Sequence, residues 1–360
     1  MLRILLRNFS LTFLLVYTVW WMLCKQFCLC YILNNIFALP VLMMISWTIS
    51  YYLFEQLDQE NIDVDENKIV LVTGCDTGFG NRLAARLDRL GFTVFAGVLF
   101  PDGQGANDLK AKCSDRLKVI HMDVTKQNEI DDVVQQIRKT GKPLWALVNN
   151  AGIAYGVPFD WGNEIDVYQK LFDVNVFGVV RCTKSCSDLL RESKGRIVNV
   201  ASVAGRLAVN FIIHYCMAKN SVRIFSDVIR RELANTGIKV SVIEPSFFRT
   251  EIINPQRIQE DRQRIYEQTP KEIQKYYGDD FVEKMRTGMK RIHSKTRDDI
   301  DQVIDAMVNA IVRKHPKQYY RCGSYHELFT LWGFSHFPEI IVDYVVNSIY
   351  NRFSSKSKAS

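Results

Sequence analysis

Tyr215 and Lys219 are the residues of this sequence best suited to moving a proton on an alcohol. They lie four residues apart, so on a helix both side chains project from one face. An ammonium group stabilises a nearby phenolate, and we therefore expect Lys219 to lower the pKa of Tyr215 and make it usable as an acid and base. Ser202 supplies a second hydroxyl at the end of the apolar run 197–201. Taken alone, Ser202 is more simply interpreted as a helix cap.

A glycine-rich turn precedes this pair, with the pattern T-G-x-x-x-G-x-G from Thr73 to Gly80. An apolar run at 68–73 predicts a buried strand before the turn, and the leucines of 81–90 predict a helix after it. Such a turn lets backbone amides approach a pyrophosphate at the positive end of the helix dipole. The motif therefore predicts a dinucleotide site, and a tight turn with a helix cap is the alternative.

Apolar runs and helix-like segments alternate from residue 68 to residue 243. Continuous Val, Ile and Leu runs indicate strands that are buried on both faces of a parallel sheet. Right-handed crossovers between such strands give an α/β fold with a doubly wound, Rossmann-type parallel sheet. Strands are expected at 68–73, 93–98, 117–121, 144–148, 196–200 and 239–243, and helices at 81–90, 130–138, 168–190 and 215–234.

The stretch 1–54 is predicted to be a membrane anchor preceding a single catalytic domain. Lys25 is its only charge between residues 8 and 54. A bilayer core needs about 20 apolar residues in a helix, so the stretch accommodates one span, or two spans interrupted at Asn34, Asn35 and Pro40. A cleavable signal peptide fits less well, because its apolar region is only about 7 to 15 residues long.

Both ends of the chain carry features that resemble cellular addresses. Arg3 and Arg7 place the amino terminus in the cytosol, so one span would leave the catalytic domain in the lumen and two would return it to the cytosol. Lysines 356 and 358 resemble an endoplasmic reticulum retrieval signal, with a frayed basic tail as the alternative. We expect an endoplasmic reticulum membrane protein. A mitochondrial membrane is the alternative, because the start of the chain carries arginines and no early acid.

Composition argues against several other classes of protein. The net charge of +7 includes no run of five like charges, so no nucleic-acid partner is expected. The nine cysteines lack the spacing of a small disulfide framework, which favours a reducing compartment. Cys28 and Cys30 have no partner pair, and no metal site is expected.

The remaining chain divides into a linker, a domain and a tail. An acidic linker at 55–66 leads to a catalytic domain at 67–325. Within it, the charged and aromatic stretch 247–291 is expected to form a flap over a pocket, with a peripheral helix pair as the alternative. The segment 326–360 joins an aromatic-rich part to a basic tail, and it could contact the membrane, a second subunit or the substrate entrance.

Taken together, these motifs resemble the short-chain dehydrogenase/reductase family over residues 66–325. The resemblance implies a catalytic tetrad of Asn175, Ser202, Tyr215 and Lys219, in which Lys219 also holds the nicotinamide ribose and Asn175 supports a water relay. It further implies a dimer or tetramer formed through the helices at 168–190 and 215–234. The cofactor-binding residues that it implies are Thr73, Gly74, Asp76, Gly78, Phe79, Gly80, Asp123, Val124, Asn149, Ala151, Gly152, Tyr215, Lys219, Pro245 and Thr250. One departure is Pro245-Ser246, where the family usually has Pro-Gly.

The cofactor expected is NAD, with NADP less favoured. Neither the glycine turn nor the segment 97–100 supplies a cation for a 2′-phosphate, and Asp76 would repel that group. No acid directly ends the second strand, and Asp102 is only a distant substitute for the usual ribose-binding carboxylate. The family branch with Gly-Cys-Asp-x-Gly-Phe-Gly is largely NAD-dependent.

That branch contains retinol dehydrogenases, NAD-linked 11β- and 17β-hydroxysteroid dehydrogenases and a mitochondrial 3-hydroxybutyrate dehydrogenase. The apolar segment 207–213 suits a steroid, sterol or retinoid, unless these side chains simply pack under the flap. Arg206 could bind a substrate carboxylate or form a structural ion pair. We expect NAD-dependent oxidation of a hydrophobic alcohol with Tyr215 as general acid and base. The alternatives are a hydroxybutyrate-type dehydrogenase, an NADPH-dependent carbonyl reductase and a dinucleotide-binding scaffold without turnover.

Overall fold

The computed structural model describes residues 2–26, 39–57, 60–162, 165–278, 280–294 and 296–355. Cys28, Cys30, Asn34, Asn35 and the tail 356–360 lie outside these residues. The chain divides into two compact units, one formed by Met1–Ile62 with Arg313–His315 and the other by Asp63–Val312 with Pro316–Ser360.

The larger unit is built on one seven-stranded sheet in the order β3-β2-β1-β4-β5-β6-β7, and every pairing in it is parallel. The predicted doubly wound parallel sheet is therefore confirmed. The strands are β1 Ile69–Val72, β2 Thr93–Val98, β3 Leu117–His121, β4 Leu144–Asn149, β5 Arg196–Val200, β6 Lys239–Pro245 and β7 Tyr319–Cys322. The sheet order reverses between β1 and β4, and a ligand crevice is expected at the carboxyl ends of strands at such a point.

Helices connect these strands and cover both faces of the sheet. The helices of the larger unit are α3 Gly78–Leu90, α4 Gln104–Lys112, α5 Gln127–Lys139, α6 Asp166–Phe172, α7 Gly178–Ser185, α8 Ser187–Ser193, α9 Ile213–Glu232, α10 Pro255–Glu267, α11 Lys271–Tyr277, α12 Phe281–Ser294, α13 Asp301–Val312, α14 Tyr325–Phe334 and α15 Glu339–Ser355. α5 shows the packing principle, since Ile130, Val133, Val134 and Ile137 recur at helical spacing and are all buried. Burial of each such side chain stabilises the fold by about 1.5–3 kcal/mol.

The long helix expected at 168–190 is interrupted, and this expectation is corrected. α6 passes into one π-helical turn, Asp173–Phe177, before α7 begins, and the chain turns again at Cys186 before α8. Apolar periodicity alone does not distinguish a continuous helix from one with an extra residue in a turn. π-turns of this kind occur frequently at functional sites.

The smaller unit contains the hairpin partners α1 Leu2–Gln26 and α2 Leu39–Leu57. α2 continues three residues past the predicted anchor boundary at 54. The Thr12 hydroxyl donates to the Ser46 carbonyl at 3.2 Å and also contacts the Ser50 hydroxyl. By length and hydropathy, none of the described helices qualifies as a membrane-crossing segment.

Candidate active site

The glycine turn lies between β1 and α3, and its backbone leaves no room for a side chain at Gly74 or Gly80. Gly74 has φ of +70°, and a Cβ there would lie 2.7 Å from the Cα of Ala151. A Cβ on Gly80 would lie 2.4 Å from the Gly74 carbonyl oxygen. Gly78 has φ of +62°, which favours glycine, and a Cβ there would lie 3.7 Å from the Thr250 side chain. The cradle at the start of α3 therefore suits a pyrophosphate, which needs close backbone approach at a helix amino terminus.

Thr73 and Asn150 tie this turn to the end of β4. The Thr73 hydroxyl accepts hydrogen bonds from the backbone N–H groups of Asn150 and Ala151, both at 3.0 Å. The Asn150 side-chain amide donates to the carbonyls of Thr73 at 2.9 Å and Gly74 at 3.0 Å. Asn150 was assigned no role from the sequence. Its structural role is to hold the turn open, and its position after a strand that faces the glycine turn could have indicated this.

Asp76 lies where the turn meets the carboxyl end of β2. Its carboxylate accepts the backbone N–H groups of Leu99 at 3.0 Å and Phe100 at 2.9 Å. A Cβ on Gly105 would lie 1.8 Å from the Asp76 carbonyl, so the adjacent helix approaches at backbone distance. An acid therefore does lie at this strand end, although it comes from the turn and not from the second strand.

Three of the predicted cofactor-binding residues lie at the carboxyl ends of β3 and β4, namely Asp123, Val124 and Asn149. Their side chains contact other parts of the protein. Asp123 accepts from the Thr125 hydroxyl at 2.8 Å. Val124 is buried against α7, because a Cβ on Gly178 would lie 2.7 Å from its Cγ2. Cofactor contacts by these residues stay a prediction.

The Asn149 side chain belongs to a buried polar chain within the sheet. Its amide donates to the Thr183 hydroxyl at 3.1 Å and to Asn199 Oδ1 at 2.8 Å, and Asn199 in turn donates to the Ser226 hydroxyl at 2.8 Å. These bonds account for both amide hydrogens of Asn149, whereas its Oδ1 is buried and accepts no hydrogen bond from any described residue.

Asn175 lies on the π-turn Asp173–Phe177, which brings its amide against the loop after β4. Its Oδ1 accepts the backbone N–H of Ile153 and its Nδ2 donates to the carbonyl of the same residue, both at 2.8 Å. A Cβ on Gly152 would lie 3.4 Å from Asn175 Oδ1 and 3.6 Å from Lys219 Nζ. Gly152 therefore lies close to both Asn175 and Lys219, two members of the predicted tetrad.

Ser202, Tyr215 and Lys219 meet beyond the carboxyl end of β5. A side-chain hydrogen bond joins Ser202 to Tyr215. The Lys219 ammonium lies 5.5 Å from the centre of the Tyr215 ring and donates to the Val200 carbonyl at 2.9 Å. α9 carries both Tyr215 and Lys219, and β5 ends just before Ser202. The structure therefore brings the four predicted tetrad residues into one place.

The expected lowering of the Tyr215 pKa is wrong for the ligand-free site. Burial raises the pKa of Tyr215 to about 12, and the hydrogen bond with Ser202 only partly opposes that rise. Burial also lowers the pKa of Lys219 to about 8. Desolvation thus dominates at both groups, because each loses water without gaining a full counter-charge.

Ser202, Pro245 and Ser246 link the site to the last strands. Ser202 accepts the Ala204 N–H at 3.1 Å, so it also forms the cap that was the alternative interpretation, and its hydroxyl lies 3.4 Å from the Pro245 carbonyl. Ser246 replaces the glycine that the family usually has here. Its hydroxyl donates to Glu327 at 3.0 Å, which fixes α14 beside the end of β6.

Arg206 forms a structural ion pair. Its Nε lies 2.8 Å from both carboxylate oxygens of Glu244, which is fully buried, and its guanidinium lies 4.8 Å from the centre of the Tyr319 ring. Arg321 approaches the same carboxylate at 3.3 Å. The charge of Arg206 is therefore already balanced within the protein.

An apolar cluster adjoins Tyr215. It contains residues from the loop 153–161, from α6 and α9, and from the flap helices α10 to α12. Its buried members are Tyr155, Val157, Trp161, Leu171, Ala218 and Ile265. The Tyr215 ring packs against it, and so do Tyr266, Tyr277, Phe281 and Met285 of the flap. In the segment before Tyr215, Phe211 has φ of +67° and its ring lies 5.9 Å from that of Phe281.

Comparison with known proteins gives a consistent match. The family model described as short chain dehydrogenase matches residues 68–261. Estradiol 17-beta-dehydrogenase 2 of Rattus norvegicus is 40% identical over 298 residues, which cover 81% of this chain and 77% of that protein. Retinol dehydrogenase 16 of the same species is 38% identical over 283 residues, which cover 77% of this chain and 87% of that protein.

Solved structures show the same fold. A short chain dehydrogenase/reductase from Burkholderia phymatum in complex with NAD aligns with a TM-score of 0.62 at 20% identity. The alignment covers 75% of this chain and 93% of that chain. At that identity, the match supports the architecture described above.

Proposed function

The chain belongs to the short-chain dehydrogenase family, and on this premise we propose that it oxidises a hydrophobic alcohol, a steroid, sterol or retinoid, to the carbonyl with NAD. The family makes it an oxidoreductase that acts on CH–OH groups and uses a nicotinamide dinucleotide. The observation that carries the proposal is the Ser202–Tyr215–Lys219 group at the border between a pyrophosphate cradle and an apolar cluster.

In the proposed reaction, Tyr215 removes the hydroxyl proton of the substrate, and the Ser202 hydroxyl orients the substrate oxygen. Lys219 stabilises the resulting phenolate. The bound nicotinamide supplies the hydride acceptor. Because the pKa of Tyr215 is about 12 in the free site, proton transfer depends on positive charge near the phenol when the site is filled. Asn175, held at both ends of its amide by Ile153, keeps the loop after β4 beside Lys219.

The choice of NAD is supported by Asp76. Its carboxylate lies against the backbone that ends β2, the position from which members of dinucleotide-binding folds contact the adenosine ribose. A negative charge there repels a 2′-phosphate. The residues that follow, Leu99 and Phe100, are exposed and uncharged, so they offer no compensating cation.

A hydrophobic substrate is supported by the aromatic lining of the flap. Trp161 lies 4.9 Å from Tyr266, 5.7 Å from Tyr277 and 5.9 Å from Phe281, measured between ring centres. A cluster of aromatic side chains beside the Tyr215 ring favours flat apolar ligands. The hydroxybutyrate-type alternative loses its carboxylate partner, since Arg206 is paired with Glu244.

We further propose that α1 and α2 associate with the endoplasmic reticulum membrane. Apart from the Thr12 contacts, their described surface is strongly apolar. Large hydrophobic side chains are exposed on both helices at Leu11, Leu14, Leu15, Val19, Trp21, Met22, Val41, Met43, Met44, Ile45, Trp47 and Ile49. An exposed apolar surface of this extent favours lipid over water.

An oligomer formed through α7 and α9 is also part of the proposal. Met217, Ile224 and Val228 are exposed on α9 at helical spacing, and Phe177 is exposed at the start of α7. Uncovered apolar side chains on one face support an interface between copies of the chain. Sedimentation of the detergent-solubilised protein should give a dimer or a tetramer.

The test is NADH formation by the full-length protein in isolated membranes. We expect oxidation of 17β-hydroxysteroids or retinol with NAD, and a protein that stays in the membrane pellet after an alkaline wash. Tyr215→Phe should lower kcat by about 10²- to 10⁴-fold and leave NAD affinity unchanged. Full activity of Tyr215→Phe, or no turnover of any lipid alcohol despite NAD binding, would overturn the proposal.

A further inference from the structure

Arg262 is a buried cation in the flap that the reaction described above does not use. It lies on α10, is 2% exposed, and occupies the buried face between Ile258 and Ile265. These three positions are spaced i, i+4 and i+7, so they form the apolar stripe by which a helix packs on a core. A leucine or methionine would fill the middle position without any desolvation of charge.

The protein satisfies Arg262 only in part. Its Nε donates to the Gly156 carbonyl at 2.8 Å. Its Nη1 is buried and makes no hydrogen bond to any described residue. Burial lowers the pKa of Arg262 to about 10, and no described carboxylate offsets this effect. A buried and unpaired charge is unfavourable unless something supplies an acceptor.

The guanidinium borders the apolar cluster that contains the Tyr215 ring. Gly156, to which it donates, lies between the cluster members Tyr155 and Val157, and a Cβ on Gly156 would lie 3.1 Å from Nη2. Ile265, one turn further along α10, is itself a buried member of the cluster. Arg262 therefore adjoins this cluster from α10, whereas Tyr215 packs against it from α9.

We propose that Arg262 binds an acceptor oxygen at the end of the substrate remote from the reacting alcohol. The ligand class is a rigid apolar alcohol with a ketone, carboxylate or sulfate at its far end. This inference rests on the proposed function and narrows it, because an oxygenated steroid has such an acceptor and retinol ends in a hydrocarbon ring. Arg262 is a specificity residue in this role, since it contacts the substrate away from the reacting atoms.

The test compares three 17β-hydroxysteroids that differ only at carbon 3, where they carry a ketone, a sulfate or hydrogen. A hydrogen bond from a charged donor is worth about 10- to 100-fold in kcat/KM, so the wild type should prefer the ketone or the sulfate over the 3-deoxy compound by that factor. The ratio of the ketone to the sulfate tells whether a neutral or an anionic oxygen is recognised.

Arg262→Met keeps the unbranched stem and removes the donor. We expect it to lower kcat/KM for the oxygenated substrates about 10- to 100-fold and to leave the 3-deoxy substrate within about twofold of wild type. Arg257→Met, at an exposed arginine of the same helix, is the matched control and should change none of the three.

Two results would overturn the inference without touching the proposed function. One is turnover of all three steroids by the wild type with equal kcat/KM, which needs no variant and so does not depend on the folding of Arg262→Met. The other is an equal loss on all three substrates in Arg262→Met, which would indicate a packing role. Absence of turnover with every lipid alcohol would instead reject the proposed function itself.

Discussion

Around the glycine turn, neighbouring segments are joined by hydrogen bonds to the backbone, whereas the flap meets the loop 153–162 through ring contacts as well as hydrogen bonds. Thr73 and Asn150 together make four such bonds between the ends of β1 and β4. Tyr266, Tyr277 and Phe281 of the flap pack around Trp161 of the loop 153–161. Directional bonds fix a single geometry, while ring contacts tolerate small displacements.

This difference matches what each end of the site must do. The cofactor end presents the same backbone cradle in every catalytic cycle, so a fixed geometry is an advantage. The substrate end must admit a bulky apolar molecule, and segments that open for ligands come from the less stable parts of a fold. We therefore expect substitutions at the cofactor end to act on the whole fold and those in the flap to act locally.

The largest effect is expected from Gly74→Ala. The substitution adds a Cβ 2.7 Å from the Ala151 Cα in a backbone with φ of +70°. Left-handed strain and overpacking together should lower the free energy of unfolding by about 3 kcal/mol or more. NAD binding should be lost with it, because the cradle and the fold depend on the same backbone. Chemical denaturation and NAD titration measure the two effects.

Gly141→Ala separates the clash from the strain. Gly141 has φ of +66° but has nothing within 4 Å of its would-be Cβ, so only about 1–2 kcal/mol should be lost, with NAD affinity unchanged. If both variants lost the same free energy of unfolding, the close contact with Ala151 would add nothing to the strain. The cofactor end would then be less rigid than its hydrogen bonds to the backbone indicate.

A pH-dependent effect of intermediate size is expected from Lys219, which lies where the two regions meet. Burial lowers its pKa from 10.5 to about 8 in the folded protein. Between these pH values the unfolded chain holds a proton that the folded chain lacks, so this contribution to stability rises with pH by up to about 1.4 kcal/mol per unit. It is constant below pH 8, where both states are protonated.

The measurement is the difference in unfolding free energy between wild type and Lys219→Met, from pH 7 to pH 10 without cofactor. Because both proteins contain the same buried cysteines, the difference removes the contribution of the cysteines. Their raised pKa values would lower stability as the pH rises. If this difference did not change with pH, Lys219 would keep its charge in the folded protein. The surroundings of Lys219, between the cofactor end and the flap, would then be better solvated than its burial implies.

The sequence predicts some parts of the fold better than others. Apolar runs predicted all six strands from β1 to β6, and the predicted bounds of β2, β3 and β5 are the observed ones. β7 was missed, because the segment Tyr319–Cys322 contains no Val, Ile or Leu and is shorter than a typical strand. The π-turn that carries Asn175 was also missed, since one extra residue in a turn leaves the apolar period nearly unchanged.

For the site, the sequence identified residues more readily than their surroundings. Tyr215, Ser202 and Lys219 were predicted as a group and lie together, but the direction of the Tyr215 pKa was wrong because desolvation depends on the whole fold. Arg262 was not singled out at all. A charged residue on a helix is ordinarily solvated, and only the packing of α10 shows that this one is buried.

The smallest effect is expected in the flap, from Tyr277→Phe. The Tyr277 hydroxyl donates to Asp160 at 2.8 Å, a direct hydrogen bond between the end of α11 and the loop that precedes α6. Its loss should weaken flap closure by about 1 kcal/mol, which corresponds to roughly fivefold faster exchange of the α11 amides. Amide exchange read by mass spectrometry measures this, and the exchange rates of the β1 and β4 amides should not change.

Tyr276→Phe is the control, because the Tyr276 side chain is 84% exposed. If Tyr277→Phe accelerated exchange in β1 and β4 as well, the flap and the cradle would open as one unit, and the division between a fixed and a yielding end of the site would be wrong.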